Sequence, residues 1–324
     1  MLNPSWTSDA AASIEGRVLT ITRAFRAPRE LVFETWTDPR HLARWWGPQD
    51  FTLTTRSHEF AVGGVWDYMM HGPDGTDYPN RIEYVDIVRP ERIEYRHGDD
   101  ESPERFRVVV TMADVGGATE VTMKMAFPTA EELEFTVKTY GAVEGAKQTF
   151  SRLANEVETL LETSLLLART FDAPRDAVFE AWTNANHLKR WWGPQGFEIS
   201  VSAFDLRPGG AFHYRMSDPE GFEMWGKFVF RDISAPERLV FVNSFSDPEG
   251  RVTRAPFDGH EHFPLEVLYI ATFEEADGRT KLTLRGGPIG ATEEELRFFR
   301  SMHPSMQQGF GGTFDRLDAY LAGR

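Results

Sequence analysis

The chain repeats itself. From Ile21 it reads ITRAFRAPRELVFETWTDPRHLARWWGPQDF, from Leu167 it reads LARTFDAPRDAVFEAWTNANHLKRWWGPQGF, and 19 of these 31 positions are identical. The offset of 146 residues then holds without a gap through Gly63-Gly64 against Gly209-Gly210, Asp86-Ile87 against Asp232-Ile233, and Pro90-Glu91-Arg92 against Pro236-Glu237-Arg238. Self-similarity on this scale means two homologous domains, so whatever architecture the chain adopts must be complete in about half of its 324 residues.

Past Phe245 the second copy carries 15 extra residues, because Thr111 and Thr119 correspond to Thr272 and Thr280 at an offset of 161. The turn formers Asp247-Pro248-Glu249-Gly250 and Asp258-Gly259 lie in this stretch, which predicts a longer hairpin or lid across residues 246–262. The C-terminal segments realign as QTFSRLANEV from Gln148 and GTFDRLDAYL from Gly312, and domains are expected at 1–163 and 164–324.

Within one copy, residues 18–25 and 165–171 have the alternation of first strands. Each is followed by Ala-Pro-Arg, with Pro28 or Pro174 suited to a helix start. Leu31, Phe33 and Trp36, then Leu42, Trp45 and Trp46, recur at helical spacing, and Gly47-Pro48 ends the second of two short helices. About six antiparallel strands follow, with one apolar and one polar face, as in Phe212-Tyr214-Met216 and Val267-Tyr269-Ala271-Phe273. The capping signatures Thr129-x-x-Glu132 and Thr292-x-x-Glu295 then open a single long helix ending near Leu161 or Leu321, which must cover the apolar face. The fold class is α+β, a strongly curved sheet gripping a long helix, duplicated in tandem.

Composition narrows the partners. With 50 acidic against 35 basic residues the net charge is -15, which repels phosphate backbones and anionic membrane surfaces, so neither nucleic acid nor membrane is expected. There is no cysteine, hence no thiolate nucleophile or Cys-based metal site. Residues 1–17 lack the basic and apolar regions of a signal peptide and no apolar run approaches a bilayer span, so a cytoplasmic location is expected. No Gly-x-Ser-x-Gly elbow, phosphate-binding glycine loop or dinucleotide fingerprint occurs, and no cofactor is expected.

The segments Ala-Pro-Arg, VFEAWT, HLKRWWGP, Arg207-Pro208-Gly209-Gly210, SAPERLVF and QGFGGTFDRLDAYL resemble the bacterial relatives of the C-terminal domain of the heat-shock-protein-90 ATPase activator, within the START-related SRPBCC superfamily. Both halves match over most of their length. The second follows the pattern more closely, since Asn80 stands where the second copy has Gly226, and residues 141–147 replace its glycine-rich helix turn. The resemblance implies a helix-grip fold with a cavity between sheet and helix. It implies no single function, because that fold hosts carriers, cyclases and sequestering proteins. A chaperone-activator-like interaction is an alternative, although the activator's N-terminal contact motif has no counterpart here.

The leading expectation is binding of a small apolar or aromatic molecule. The expected walls are Trp192, Phe212, Tyr214, Phe228, Phe241, Met306, Phe310 and Phe314 in the second domain, and Trp46, Trp66, Tyr68, Tyr84 and Phe150 in the first. In Trp45-Trp46 and Trp191-Trp192 neighbouring side chains diverge by about 100°, so at most one of each pair faces a cavity squarely. Gly309, Gly311 and Gly312 weaken a helix and need a reason, either cavity space or close helix–sheet contact. His303 is the candidate acid or base for a cyclase- or hydrolase-like alternative. His213 and Arg215 fall on the outward alternation and are read as surface residues. His260-Glu261-His262 beside Asp258 lacks a third spaced ligand, and no metal site is expected.

Overall fold

The alternation of apolar and polar residues is realised as antiparallel sheet in the computed structural model, which describes residues 9–257 and 259–323. The chain divides into units Met1–Leu161 and Glu162–Arg324.

The first unit begins with a hairpin of β1 (Ala11–Glu15) and β2 (Val18–Phe25). Two short helices follow, α1 (Arg29–Thr37) and α2 (Pro39–Trp45), the second capped by the Asp38 carboxylate, which accepts from Arg40 N. Six strands come next: β3 (Thr52–His58), β4 (Val65–His71), β5 (Asp77–Val88), β6 (Arg92–Gly98), β7 (Phe106–Asp114) and β8 (Thr119–Ala126). The sheet order is β1-β2-β8-β7-β6-β5-β4-β3, antiparallel throughout. The helices α3 (Ala130–Tyr140) and α4 (Ala142–Thr163) complete it. The strand β1 has no strong sequence signal, being short and poor in β-branched residues; it is held by its hairpin, with Gly16 at φ +57° in the turn.

The second unit runs β9 (Leu165–Phe171), α5 (Arg175–Thr183), α6 (Ala185–Trp191), β10 (Glu198–Phe204), β11 (Ala211–Ser217), β12 (Glu223–Ser234), β13 (Arg238–Ser246), β14 (Val252–Thr253), β15 (Val267–Ala276), β16 (Arg279–Pro288), α7 (Glu293–Ser301) and α8 (His303–Ala322). Its sheet order is β10-β11-β12-β13-β15-β16-β9, with β14 paired to β13.

The single long helix expected in each copy is in fact two. In the first unit Gly141 adopts the left-handed conformation at φ +62° and caps α3, a conformation that costs glycine nothing. In the second, α7 ends at Met302 and α8 restarts with Pro304 in its first turn, a residue that cannot continue the preceding ladder. Thr292 and Glu295 form the full reciprocal capping box of α7, whereas Thr129 supplies only its half of one in α3.

Candidate functional site

The inward face of the second sheet carries an aromatic layer. Phe228 lies on Phe241 at 4.3 Å between ring centroids, Phe241 lies on Tyr269 at 5.5 Å, and Phe212 stacks on Tyr214 at 4.6 Å. Phe212, Phe228, Phe241 and Phe314 are buried in the core cluster. Beside them a cavity of about 240 Å³ opens between the sheet and α8. Its walls are Trp192, Gly193 and Pro194 after α6; Tyr214 and Met216 on β11; Met224, Trp225 and Gly226 on β12; and Asn243, Ser244 and Phe245 on β13. Phe263, Pro264 and Leu265 after the insertion, Val267 and Tyr269 on β15, and Met306, Gly309, Phe310 and Thr313 on α8 close it.

Four of the eight wall residues expected in this domain, Trp192, Tyr214, Met306 and Phe310, line the cavity, while Phe212, Phe228, Phe241 and Phe314 pack around it without lining it. The two tryptophans of the pair do different things. Trp191 is fully buried and donates to Ala181 O at 3.0 Å, holding α6 against α5, whereas Trp192 turns to the cavity. Trp45 in the first unit likewise donates to Thr35 O at 2.9 Å.

Among the described residues, none that lines the cavity is acidic, basic or a histidine. Burial pushes the Tyr214 phenol up to about 12, and it pushes the Tyr269 phenol higher still, so both remain neutral hydroxyls. The Trp192 indole N–H is near enough to ease ionisation of Tyr214 slightly, yet falls short of hydrogen-bond geometry.

The loop carrying Trp192 is fixed from α8. Arg316 Nη1 donates to Gly193 O at 3.0 Å and Pro194 O at 2.7 Å, with a weaker contact to Phe197 O at 3.4 Å. Arg152 does the same in the first unit, reaching Gly47 O at 3.1 Å, Pro48 O at 2.7 Å and Phe51 O at 3.1 Å. Neither arginine was singled out by the pattern reading, although each stands at the same place in QTFSRL and GTFDRL, which is the signal that could have found it.

The insertion packs around the site, and the residues just after it form part of the wall. Phe263 packs against Phe245 and Phe299 at 6.0 and 5.8 Å, and Phe257 stacks on Phe222. Arg254 pairs with Glu295 of α7. Burial pushes that carboxyl up, but the Arg254 guanidinium and the Thr292 backbone N–H outweigh it and hold it below the usual range. The turn at Asp247–Gly250 also overturns the surface reading of His213. That residue is 7% exposed, donates from Nε2 to Asp247 O at 3.2 Å and packs on Trp225, because the insertion covers a strand face that would otherwise meet water. Arg215 is half-buried and pairs with Glu223 at 2.7 Å.

His303 starts α8, packs edge-on against Phe299 and does not line the cavity. Its imidazole is pushed down by burial. His262 pairs with Glu294 at 3.4 Å, and Asp258 lies outside the described residues. Among the described residues no three His, Asp or Glu side chains gather as a metal site would require. A methyl group at Gly309, Gly311 or Gly312 would meet nothing within 4 Å, so close helix–sheet contact is not their reason; Gly309 borders the cavity.

In the first unit Trp46, Trp66, Tyr68 and Phe150 form a hydrogen-bonded and packed interior. Trp46 Nε1 donates to Tyr68 Oη at 2.9 Å, Tyr68 Oη lies 3.3 Å from His97 Nε2, and Trp66 stacks on Tyr68 at 4.1 Å. Tyr84 is paired with His58 at 3.0 Å, and Phe150 packs on Trp36.

Each unit is thus a helix-grip domain, an antiparallel sheet closed by a C-terminal helix. The family model described as activator of Hsp90 ATPase homolog 1-like protein matches residues 26–158 and again 172–322, and the chain belongs to that family, which it carries in two tandem copies. Solved structures similar to it include a protein from Arthrobacter aurescens studied by solution NMR, 26% identical, covering 46% of this chain and 91% of that one with a TM-score of 0.43. A protein from Mycobacterium smegmatis is 26% identical over 50% of this chain and 92% of its own, with a TM-score of 0.41. No curated protein matches the chain. Among the described residues no helix is long and apolar enough to cross a membrane.

Proposed function

We propose that the second unit binds a small apolar or aromatic molecule in the cavity between its sheet and α8. The observation that carries this reading is a cavity of about 240 Å³ whose lining, among the described residues, combines aromatic and aliphatic side chains with a few neutral polar ones and no charged group. The same lining weighs against the cyclase- or hydrolase-like alternative, since among the described residues it contains no carboxylate, imidazole or amine to hold or move a proton near neutral pH.

The test is Met306→Trp. Met306 is half-buried at the cavity wall. Added bulk costs about 1–3 kcal/mol in a filled interior, and much less where there is room. The variant is expected to keep its unfolding free energy within about 1 kcal/mol of the parent while losing uptake of the uncharged dye N-phenyl-1-naphthylamine. Strong destabilisation would mean a filled core at this position, and unchanged dye uptake would place binding elsewhere.

A further inference from the structure

Two buried polar atoms at the cavity wall have no hydrogen-bond partner among the described residues: Trp192 Nε1 and Asn243 Oδ1. Trp192 is only 5% exposed, so bulk water does not satisfy its N–H freely. A buried donor and a buried acceptor left unpaired both cost stability, and native proteins keep few of them without a reason.

The first unit shows the same three positions closed on one another. There Trp46 N–H donates to Tyr68 Oη at 2.9 Å, and Tyr68 Oη meets His97 Nε2 at 3.3 Å. The counterparts at the offset of 146 residues are Trp192, Tyr214 and Asn243. His97 also stacks on Phe106 at 4.6 Å, and Phe106 on Phe127 at 4.8 Å. In the second unit Val267 and Pro288 occupy the register positions of those two rings, and the shorter Asn243 replaces the imidazole. The three side chains that pair with one another in the first copy, where only His97 Nδ1 is left over, are unpaired in the second, and there they open onto the cavity.

We infer that the cavity takes an uncharged aromatic molecule bearing a hydroxyl group, which accepts from the Trp192 indole N–H and donates to the Asn243 carbonyl oxygen. This rests on the reading that the cavity binds a ligand. A hydroxyl is the small group that both donates and accepts. A carboxylate would only accept, and would bring a charge into a lining that holds no cation. An ammonium would only donate. Size selects further: an apolar cavity of about 150 Å³ accommodates benzene, so about 240 Å³ suits a fused two-ring molecule. The rings of Trp192, Tyr269 and Phe310, with centroids 5.8–6.3 Å apart along the wall, offer it edges and faces.

Equilibrium dialysis of the full chain against 2-naphthol, 2-methylnaphthalene and 2-naphthoate tests the inference, the second ligand replacing the hydroxyl by a methyl of similar shape. The expected order is 2-naphthol at least about tenfold tighter than 2-methylnaphthalene, with 2-naphthoate weakest. Trp192→Phe and Asn243→Leu should each reduce the ratio of the first two affinities by roughly fivefold. The ratio is the readout, because any loss of packing weakens both ligands alike. Equal binding of 2-naphthol and 2-methylnaphthalene would overturn the hydroxyl subsite, as when a trapped water satisfies both atoms, and would leave the cavity reading standing. A ratio unchanged in both variants, or 2-naphthoate binding tightest, would also overturn it. If none of the three binds, the cavity reading itself fails and this inference with it.

Discussion

Two interiors built on one template differ in how they are filled. In the first unit His97, Phe106 and Phe127 form a continuous stack, and Tyr68 ties Trp46 to His97. In the second the same register holds Asn243, Val267 and Pro288, and the first two border open space. Volume has also moved sideways. Val108 and Met125 are paired across β7 and β8 where the second unit pairs Tyr269 with Gly286. The comparison teaches that exchanges of size between facing strands can fill one interior and open another while the order of the paired strands is kept.

The feature common to both units should be the costliest to lose. Arg152→Met and Arg316→Met each remove a guanidinium that serves several backbone carbonyls. With charge-assisted bonds contributing about 1.5–3 kcal/mol apiece, each change is expected to lower stability by about 3–4 kcal/mol in denaturant unfolding. A much smaller loss from one of them would show that the tether is not shared in energy as it is in geometry.

Acid should bear on the first unit's interior through His97, whereas the lowered histidine of the second unit, His303, lies off the cavity. Burial pushes the His97 imidazole from its ordinary 6.5 down to about 4, while no histidine borders the cavity of the second unit. Between these values the unfolded chain binds a proton that the folded chain refuses, so stability present above pH 6.5 is lost as the pH falls towards 4. Because the residue as a whole is only half-buried, about 3 kcal/mol is an upper bound. His97→Asn, which imports the second unit's residue, is expected to flatten that part of a stability–pH profile; an unchanged profile would put the acid sensitivity elsewhere.

The exchange of size can be tested by partial transplantation. Val108→Tyr alone should cost about 2 kcal/mol through overpacking against Met125, and Met125→Gly added to it should recover a good part. A double-mutant cycle with no coupling would mean that the two positions do not trade volume. The smallest effect is expected at Gly309→Ala, where a methyl meets nothing within 4 Å and the helix gains up to about 1 kcal/mol. Thermal unfolding should show a small rise, and a fall would reveal a hidden constraint on that backbone.

Much of this was legible beforehand because it rests on period and repetition. The alternations through Phe212-Tyr214-Met216 and Val267-Tyr269-Ala271 define an inward face by geometry alone, and the repeated blocks make two units unavoidable. The site was legible only in part. Trp192, Tyr214, Met306 and Phe310 are large and apolar at inward positions, but so are Phe212, Phe228 and Phe241, and nothing in a pattern of hydrophobicity tells a side chain beside a void from one packed in a core. Asn243 went unnoticed, and Val267 was read only as one member of an apolar face, because their meaning lies in what their counterparts His97 and Phe106 fill. The helix break at Gly141 and at Met302 was hidden by helix-compatible neighbours, and the cover over His213 depends on where a distant insertion folds back.

Gly226 and Gly286 connect this architecture to how such a chain can change over generations. A Cβ at Gly226 would lie 2.4 Å from the Tyr214 ring, and one at Gly286 would lie 2.3 Å from the ring of Tyr269. Gly286 is not part of the cavity wall, yet the smallest heritable addition there would drive a tyrosine ring from its seat, and that ring is itself part of the wall. The chamber's dimensions therefore depend on a residue that does not line it. The first unit carries asparagine at 80 and methionine at 125 where the second has these two glycines, so the two copies already differ at both of these spacing positions.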